Sequence, residues 1–346
     1  MNKWKILRYS ADRRSVFIIG AWFALVAYQW VAGPSNPVAA ALLVAVTCAG
    51  AFLGAVATHN AVHCPVFHAR WMNNLWHVAL TLTYGHPVSS YVPGHNLSHH
   101  RHAETARDVM RTDKARFKPH LLNLLFFTAS IGPSIMGAEL SYARFAWTRR
   151  PRWTRQLLVE TAVMLAVIAA LLALDWRKAI VYVLIPWQYA AWGIVTMNLL
   201  QHDGCDAESP YNHSRNFVGS VINWFAFNNG YHTIHHLRPT LHWSRAPELH
   251  ARYVVPHMDA RLDEPSMLTY LWRTFFLPNG RKNFDGTPRV PRDPGPDAAW
   301  FTEEGPLPAG LRDHEGQRAH GGVTVAQVLH TPRRDITPLF AGASLP

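Results

Sequence analysis

Four apolar runs, each nearly free of charge, constrain this chain more than any other feature. They cover residues 15–32, 38–58, 157–174 and 179–200. Each is close to the ~20 residues that a helix needs to cross the hydrocarbon core of a bilayer. The length of 346 residues would permit two soluble domains. The distribution of apolar residues points instead to an all-α integral membrane protein. Residues 33–37 (Gly-Pro-Ser-Asn-Pro) form a tight turn between the first two runs, and Asp175-Trp176-Arg177-Lys178 one between the last two. Four transmembrane helices in two hairpins are therefore expected. Two further apolar stretches, 66–92 and 121–136, are interrupted by Arg70, Pro87 and by Gly132-Pro133. They read as interfacial or partly re-entrant helices.

Histidines crowd the ends of these runs. His59 and His63 close the second run. His95, His99 and His100 follow the interrupted stretch 66–92, His202 ends the fourth run, and His232, His235 and His236 lie beyond it. Residues three or four apart on a helix share a face. His59 and His63 can thus aim at one point, as can His95 and His99, with His100 turned aside. Asn198 stands four before His202. His232 stands three and four before His235 and His236. One such pair among 21 histidines can be chance; four clusters at helical spacing are much harder to dismiss. Imidazole is the commonest protein ligand for transition metals. Nine histidines exceed what one ion uses, which suggests two metals held at a membrane surface. All-imidazole sites suit iron, zinc, copper or nickel. Zinc closes with four ligands, whereas two irons would use nine donors and leave room for oxygen. His68, His77, His86, His120, His213, His242 and His250 are isolated by spacing and read as ordinary polar residues. His102, just after the second cluster, is a candidate to support a ligand rather than to be one.

Orientation follows from Lys and Arg. The N-terminal segment 1–14 is basic, and so is the linker with Arg144, Arg149, Arg150, Arg152 and Arg155. The N-terminus, central linker and C-terminus are expected in the cytoplasm, in a bacterial inner membrane. An even number of spans separates each histidine cluster from the next, so all four fall on the cytoplasmic side. The charge of +11 fits this bias and contact with anionic lipid, and no nucleic-acid partner is expected. Cys48, Cys64 and Cys205 show no zinc-type spacing. The membrane domain spans 15–279, with a short interfacial helix over 268–276. Residues 280–346, rich in Pro and Gly, read as a poorly structured cytosolic tail.

The clusters HNAVH, HNLSHH and HTIHH, in that order, resemble the three histidine boxes of membrane fatty acid desaturases and the related hydroxylases. Asn198 to His202 resembles an N-x3-H element of that family, and NNGYHTIHH its third box. The resemblance covers roughly residues 15–255. It implies a di-iron, O2-dependent oxidoreductase, with four spanning helices under a cytosolic helical cap. By position it implies His59, His63, His95, His99, His100, His202, His232, His235 and His236 as iron ligands, and Asn198 as holder of a water on one iron. No catalytic group beyond the ligands is expected.

The substrate is then a long acyl chain or lipid. Trp76, Tyr84, Trp187, Trp192, Trp224 and Phe227 are candidates to wall its tunnel, against a plainer role in core packing or an interfacial belt. With no flavin or haem domain visible, electrons must come from an external donor, ferredoxin or cytochrome b5-like. Arg101, Arg107, Arg111, Lys114, Arg116 and Lys118 form a basic stretch where it can dock. Box spacing does not separate desaturation from hydroxylation or acetylene formation. A metal transporter or haem carrier is a remote alternative, because its ligands belong at mid-membrane depth rather than at span ends.

Overall fold

The structure is a computed structural model that describes residues 6–290 and 293–299. It is mostly helical, with two short strands, Asn216–Phe217 and Asp263–Glu264, paired in parallel. Helix α1 (Arg13–Val31) packs on α2 (Pro37–His63). The chain reverses at Gly33, whose φ of +70° suits a residue without Cβ. Asn36 then caps α2, its side chain accepting from Ala39 N at 2.9 Å, and Pro37 fills the first helical position. Polar groups between α1 and α2 answer one another. Trp22 Nε1 donates to the Thr47 carbonyl at 3.0 Å and Gln29 Nε2 to Thr47 Oγ1 at 2.6 Å. The outer face of α1 exposes Phe17 and Val31.

Helix α3 (Arg70–Tyr84) ends at Gly85, which adopts a positive φ of 82°. A Cβ there would lie 2.3 Å from the Trp187 ring, so the position requires glycine twice over. Helix α4 (Val88–Val92) runs through a π-helical turn (Pro93–His99) into α5 (His100–His102). Helix α6 (His120–Arg149) is 30 residues long and keeps Pro133 in its interior. Helix α7 (Pro151–Ala179) is broken at Asp175 (φ −159°, ψ 96°), then passes through a π-helical turn (Ile180–Leu184) into α8 (Ile185–His202). Lys178 Nζ donates to the Trp30 carbonyl at 2.8 Å, joining the Asp175 break to the α1 end. The cap adds α9 (Ser220–Phe225), α10 (His232–Leu237), α11 (Ala246–Tyr253) and α12 (Met267–Leu271). At the centre, α2 packs against α1, α3 and α8.

Among the described residues, four helical stretches are long and apolar enough to cross a membrane: Ser10–Val31, Pro37–His63, His120–Arg149 and Pro151–His202. The last contains both 157–174 and 179–200, and its break falls at the expected turn. The stretch 121–136 differs from expectation. Gly132-Pro133 does not interrupt it, and it forms part of the continuous α6. The expected interfacial helix over 268–276 is α12 with the π-helical turn Trp272–Phe276, and it exposes Leu268, Trp272 and Phe276.

The beginning of the expected tail is ordered by charge. Arg281 grips buried Asp203 through Nε (2.6 Å) and Nη2 (2.9 Å) and donates from Nη1 to the Ala115 carbonyl at 2.7 Å. Arg289 Nε adds a bond to Asp203 at 3.1 Å. Arg111 pairs with Asp297, and Arg116 with Asp293. Ion pairs thus tie the described start of this segment to the domain, with little regular secondary structure. The expectation for 291–292 and 300–346, and for the basic residues of 1–5, lies outside the described residues.

Candidate metal centre

The ends of α2 and α8, the π-helical turn with α5, and α10 meet at one place. Two groups of histidine ring nitrogens form there. The first comprises His59, His63, His95, His100 and His235; the second comprises His99, His202, His232 and His236. Within each group the offered nitrogens all lie within 4.8 Å of one another. All are buried except His235, which is half-buried. All nine candidate histidines are therefore brought together, and no cysteine or carboxylate joins either group.

The π-helical turn decides how they divide. On an α-helix His95 and His99 would share a target, with His100 aside. The turn is instead wound i→i+5, with the His100 N–H bonded to the His95 carbonyl. His95 and His100 consequently fall in the first group and His99 in the second. This corrects the expected pairing while keeping every residue. Helix α10 divides its histidines by ordinary α spacing: His232 and His236 turn to the second group, and His235 to the first.

The spacing of the nitrogens tests whether metals fit. His63 Nε2 lies 3.1 Å from His95 Nε2, His95 Nε2 3.1 Å from His100 Nε2, and His100 Nε2 3.0 Å from His235 Nε2. In the second group His232 Nε2 lies 2.9 Å from His202 Nε2 and 3.0 Å from His236 Nε2. With metal–nitrogen bonds of ~2.1 Å, donors at right angles are about 3.0 Å apart and tetrahedral donors about 3.4 Å. These edges are compatible with donors gathered around a shared ion in each group. Burial pushes the His95, His100, His232, His235 and His236 imidazoles well below their ordinary pKa. They are held neutral, the form that binds metal.

The opposite nitrogens are held from behind. His99 Nδ1 donates to Asp108 Oδ2 at 2.9 Å, which leaves its buried Nε2 without a hydrogen-bond partner and facing the group. Burial would raise the Asp108 carboxyl. The His99 imidazole and the N–H groups of Glu104 (2.9 Å) and Met110 (2.8 Å) outweigh that and hold it at about 2. His202 Nδ1 donates to the His213 carbonyl at 3.0 Å. His59 Nδ1 lies 3.0 Å from the Asn229 side-chain amide. Asn198 donates from Nδ2 to the Met110 carbonyl at 2.7 Å.

The fatty acid desaturase family model matches residues 34–264. The chain belongs to the fatty acid desaturase family. Comparison with curated proteins finds no match. The matched region of this desaturase-family chain contains all nine histidines, and membership implies an oxidoreductase.

Other expected residues fall around the centre in varied ways. His102 is buried but belongs to neither group. His213 reads as isolated in sequence, yet its ring lies 5.4 Å from that of His236. His77, His242 and His250 face Glu160, Asp12 and Asp263. Trp76, Tyr84 and Phe227 are buried in the main core, Trp192 packs against it, and Trp187 is buried beside Gly85. Trp224 is exposed on the surface. In the basic stretch Arg111 is buried and held by the Pro294 and Gly295 carbonyls, while Lys114 bonds Ser134 and the Val109 carbonyl. Sequence reasoning missed Asp108 and Asn229. A carboxylate nine residues from a ligand across an irregular loop leaves no periodic signal; Asn229 lies within the NNGYHTIHH run but was not assigned a contact.

Proposed function

We propose that this protein is an O2-dependent di-iron desaturase that introduces a carbon–carbon double bond into a fatty acyl chain. One observation carries the reading: five and four converging imidazoles, all but His235 buried, in a chain of the desaturase family. When bound, the irons supply the oxidant that an unactivated C–H bond requires. The chain's own residues place and orient the donors, with Asp108 fixing the His99 tautomer. Asn198, its amide nitrogen taken by Met110, keeps Oδ1 to accept from a water beside the second group. Overall, a pair of neighbouring methylenes, O2, two electrons and two protons give an alkene and two waters.

The protein is an inner-membrane, multi-pass protein with its termini and metal centre in the cytoplasm. The convergence of His99 and His202 supports a particular topology. Two ligands of one group require an even number of crossings between them. Helices α7 and α8 supply two, so α6 lies along the boundary despite its length. Electrons come from an acidic external donor, ferredoxin or cytochrome b5-like. Since Arg111 and Lys114 are held internally and Arg116 pairs with Asp293, Arg101, Arg107 and Lys118 are the residues left to receive it.

Expression in a host followed by mass analysis of its lipids tests this reading. Acyl chains lighter by about two mass units support desaturation. Chains heavier by about sixteen would assign hydroxylation instead.

A further inference from the structure

A second site lies behind the metal centre. The first turn of α1, helix α9 and the loops around it line an open surface cavity of about 620 Å³. The Arg14 guanidinium reaches into it, 4.6 Å from the Trp243 ring, 5.2 Å from Trp224 and 5.8 Å from Phe227. Aromatic faces hold the cation in place, but they do not satisfy its N–H groups. Arg14 Nε is enclosed without a hydrogen-bond partner. The nearest acid along the chain, Asp12, accepts from Trp243 Nε1 at 3.0 Å through Oδ1, and its Oδ2 lies 3.2 Å from His242 Nε2; it does not line the cavity. No carboxylate lines the cavity, whereas Arg13 and the hydroxyl-bearing Ser10, Ser220 and Tyr231 do. A partly desolvated guanidinium with open donors, beside a second cation and hydroxyls, suits a phosphate.

The cavity's position narrows the source of that phosphate. On one side α1 continues with exposed Val16 and Phe17; on the other, α9 exposes Val221, Trp224 and Phe225. The cavity therefore opens where apolar surface gives way to polar loops, the level of lipid head groups. Its inner wall includes Asn228 and Tyr231. Between them Asn229 touches His59, and His232 follows Tyr231. One short loop thus borders both this cavity and the two histidine groups.

We infer that this cavity binds the phosphate of the molecule that carries the acyl chain, with a membrane phospholipid as the source its position favours. The inference rests on the acyl-chain reading above and names the head group. Binding is measured without turnover, on the full chain in neutral detergent. The probes are dihexanoyl phosphatidylglycerol, phosphate-free dihexanoylglycerol and coenzyme A. The wild type should bind phosphatidylglycerol more tightly than dihexanoylglycerol. Arg14→Gln should weaken the former at least about tenfold, the loss expected for one charged hydrogen-bond pair, and leave the latter unchanged. Arg13→Gln, at an exposed position, provides a second variant that should weaken phosphatidylglycerol binding in the same sense without disturbing the aromatic cage. Arginine-dependent binding of coenzyme A but not of phosphatidylglycerol would assign the phosphate to a soluble thioester. Equal affinities of wild type and both variants for both phosphate probes would overturn the inference. Arginine-dependent binding by a protein that oxidises no lipid would leave this site standing and remove the desaturase reading.

Discussion

Asp108 accepts a 2.9 Å hydrogen bond from His99 Nδ1, and both groups are buried. The contact leaves only Nε2 to face the second histidine group. Asp108→Asn would keep the shape but allow the other imidazole tautomer. Metal affinity at the second group should fall about 10–100-fold. Metal content after graded chelator treatment, compared with wild type, measures it.

Asp203 follows the candidate ligand His202 directly and is fully buried under Arg281 and Arg289. Removing a partner from a buried pair costs about 3–5 kcal/mol, because the remaining charge is left uncompensated. Because Arg289 still pairs with Asp203, Arg281→Met should lower unfolding stability by less than that full cost, measured in detergent with chemical denaturant. The loss should be smaller in Asp203→Asn/Arg281→Met, which removes both charges.

Glu104 offers a pH test. Burial, aided by the nearby Asp108 charge, raises its carboxyl from the usual range to about 7, against the opposing bonds from Thr112. A raised folded pKa means the native state binds the proton more tightly. The contribution to stability is full below the unfolded value near 4.5 and is lost as pH rises to about 7. Glu104→Gln should flatten the decline in thermal midpoint between pH 5 and pH 8, conditions set by that window. An unchanged decline would mean that Glu104 is not its source.

His63→Ala, His99→Ala and His235→Ala each remove a donor from one of the two groups. Each should abolish lipid oxidation while the protein still inserts in the membrane. Lipid profiles and membrane fractionation together separate lost chemistry from lost folding.

Much of the centre was legible because helix spacing is a local property. His59 and His63, or His232 and His236, carry their geometry in four residues of sequence. The sorting of His95 with His100 was not legible, because a π-helical turn has no reliable residue signature and reverses the i,i+4 expectation. Gly132-Pro133 read as a break in α6, yet a helix packed against neighbours can absorb one missing hydrogen bond. The Asp203–Arg281 pair joins residues 78 positions apart, beyond the reach of any periodic pattern.

Metal analysis of the purified full chain tests the central claim most directly. The account predicts two irons per chain, reduced in variants of either histidine group. Stoichiometric zinc, a haem absorption band, or iron content indifferent to His63→Ala and His99→Ala would contradict it.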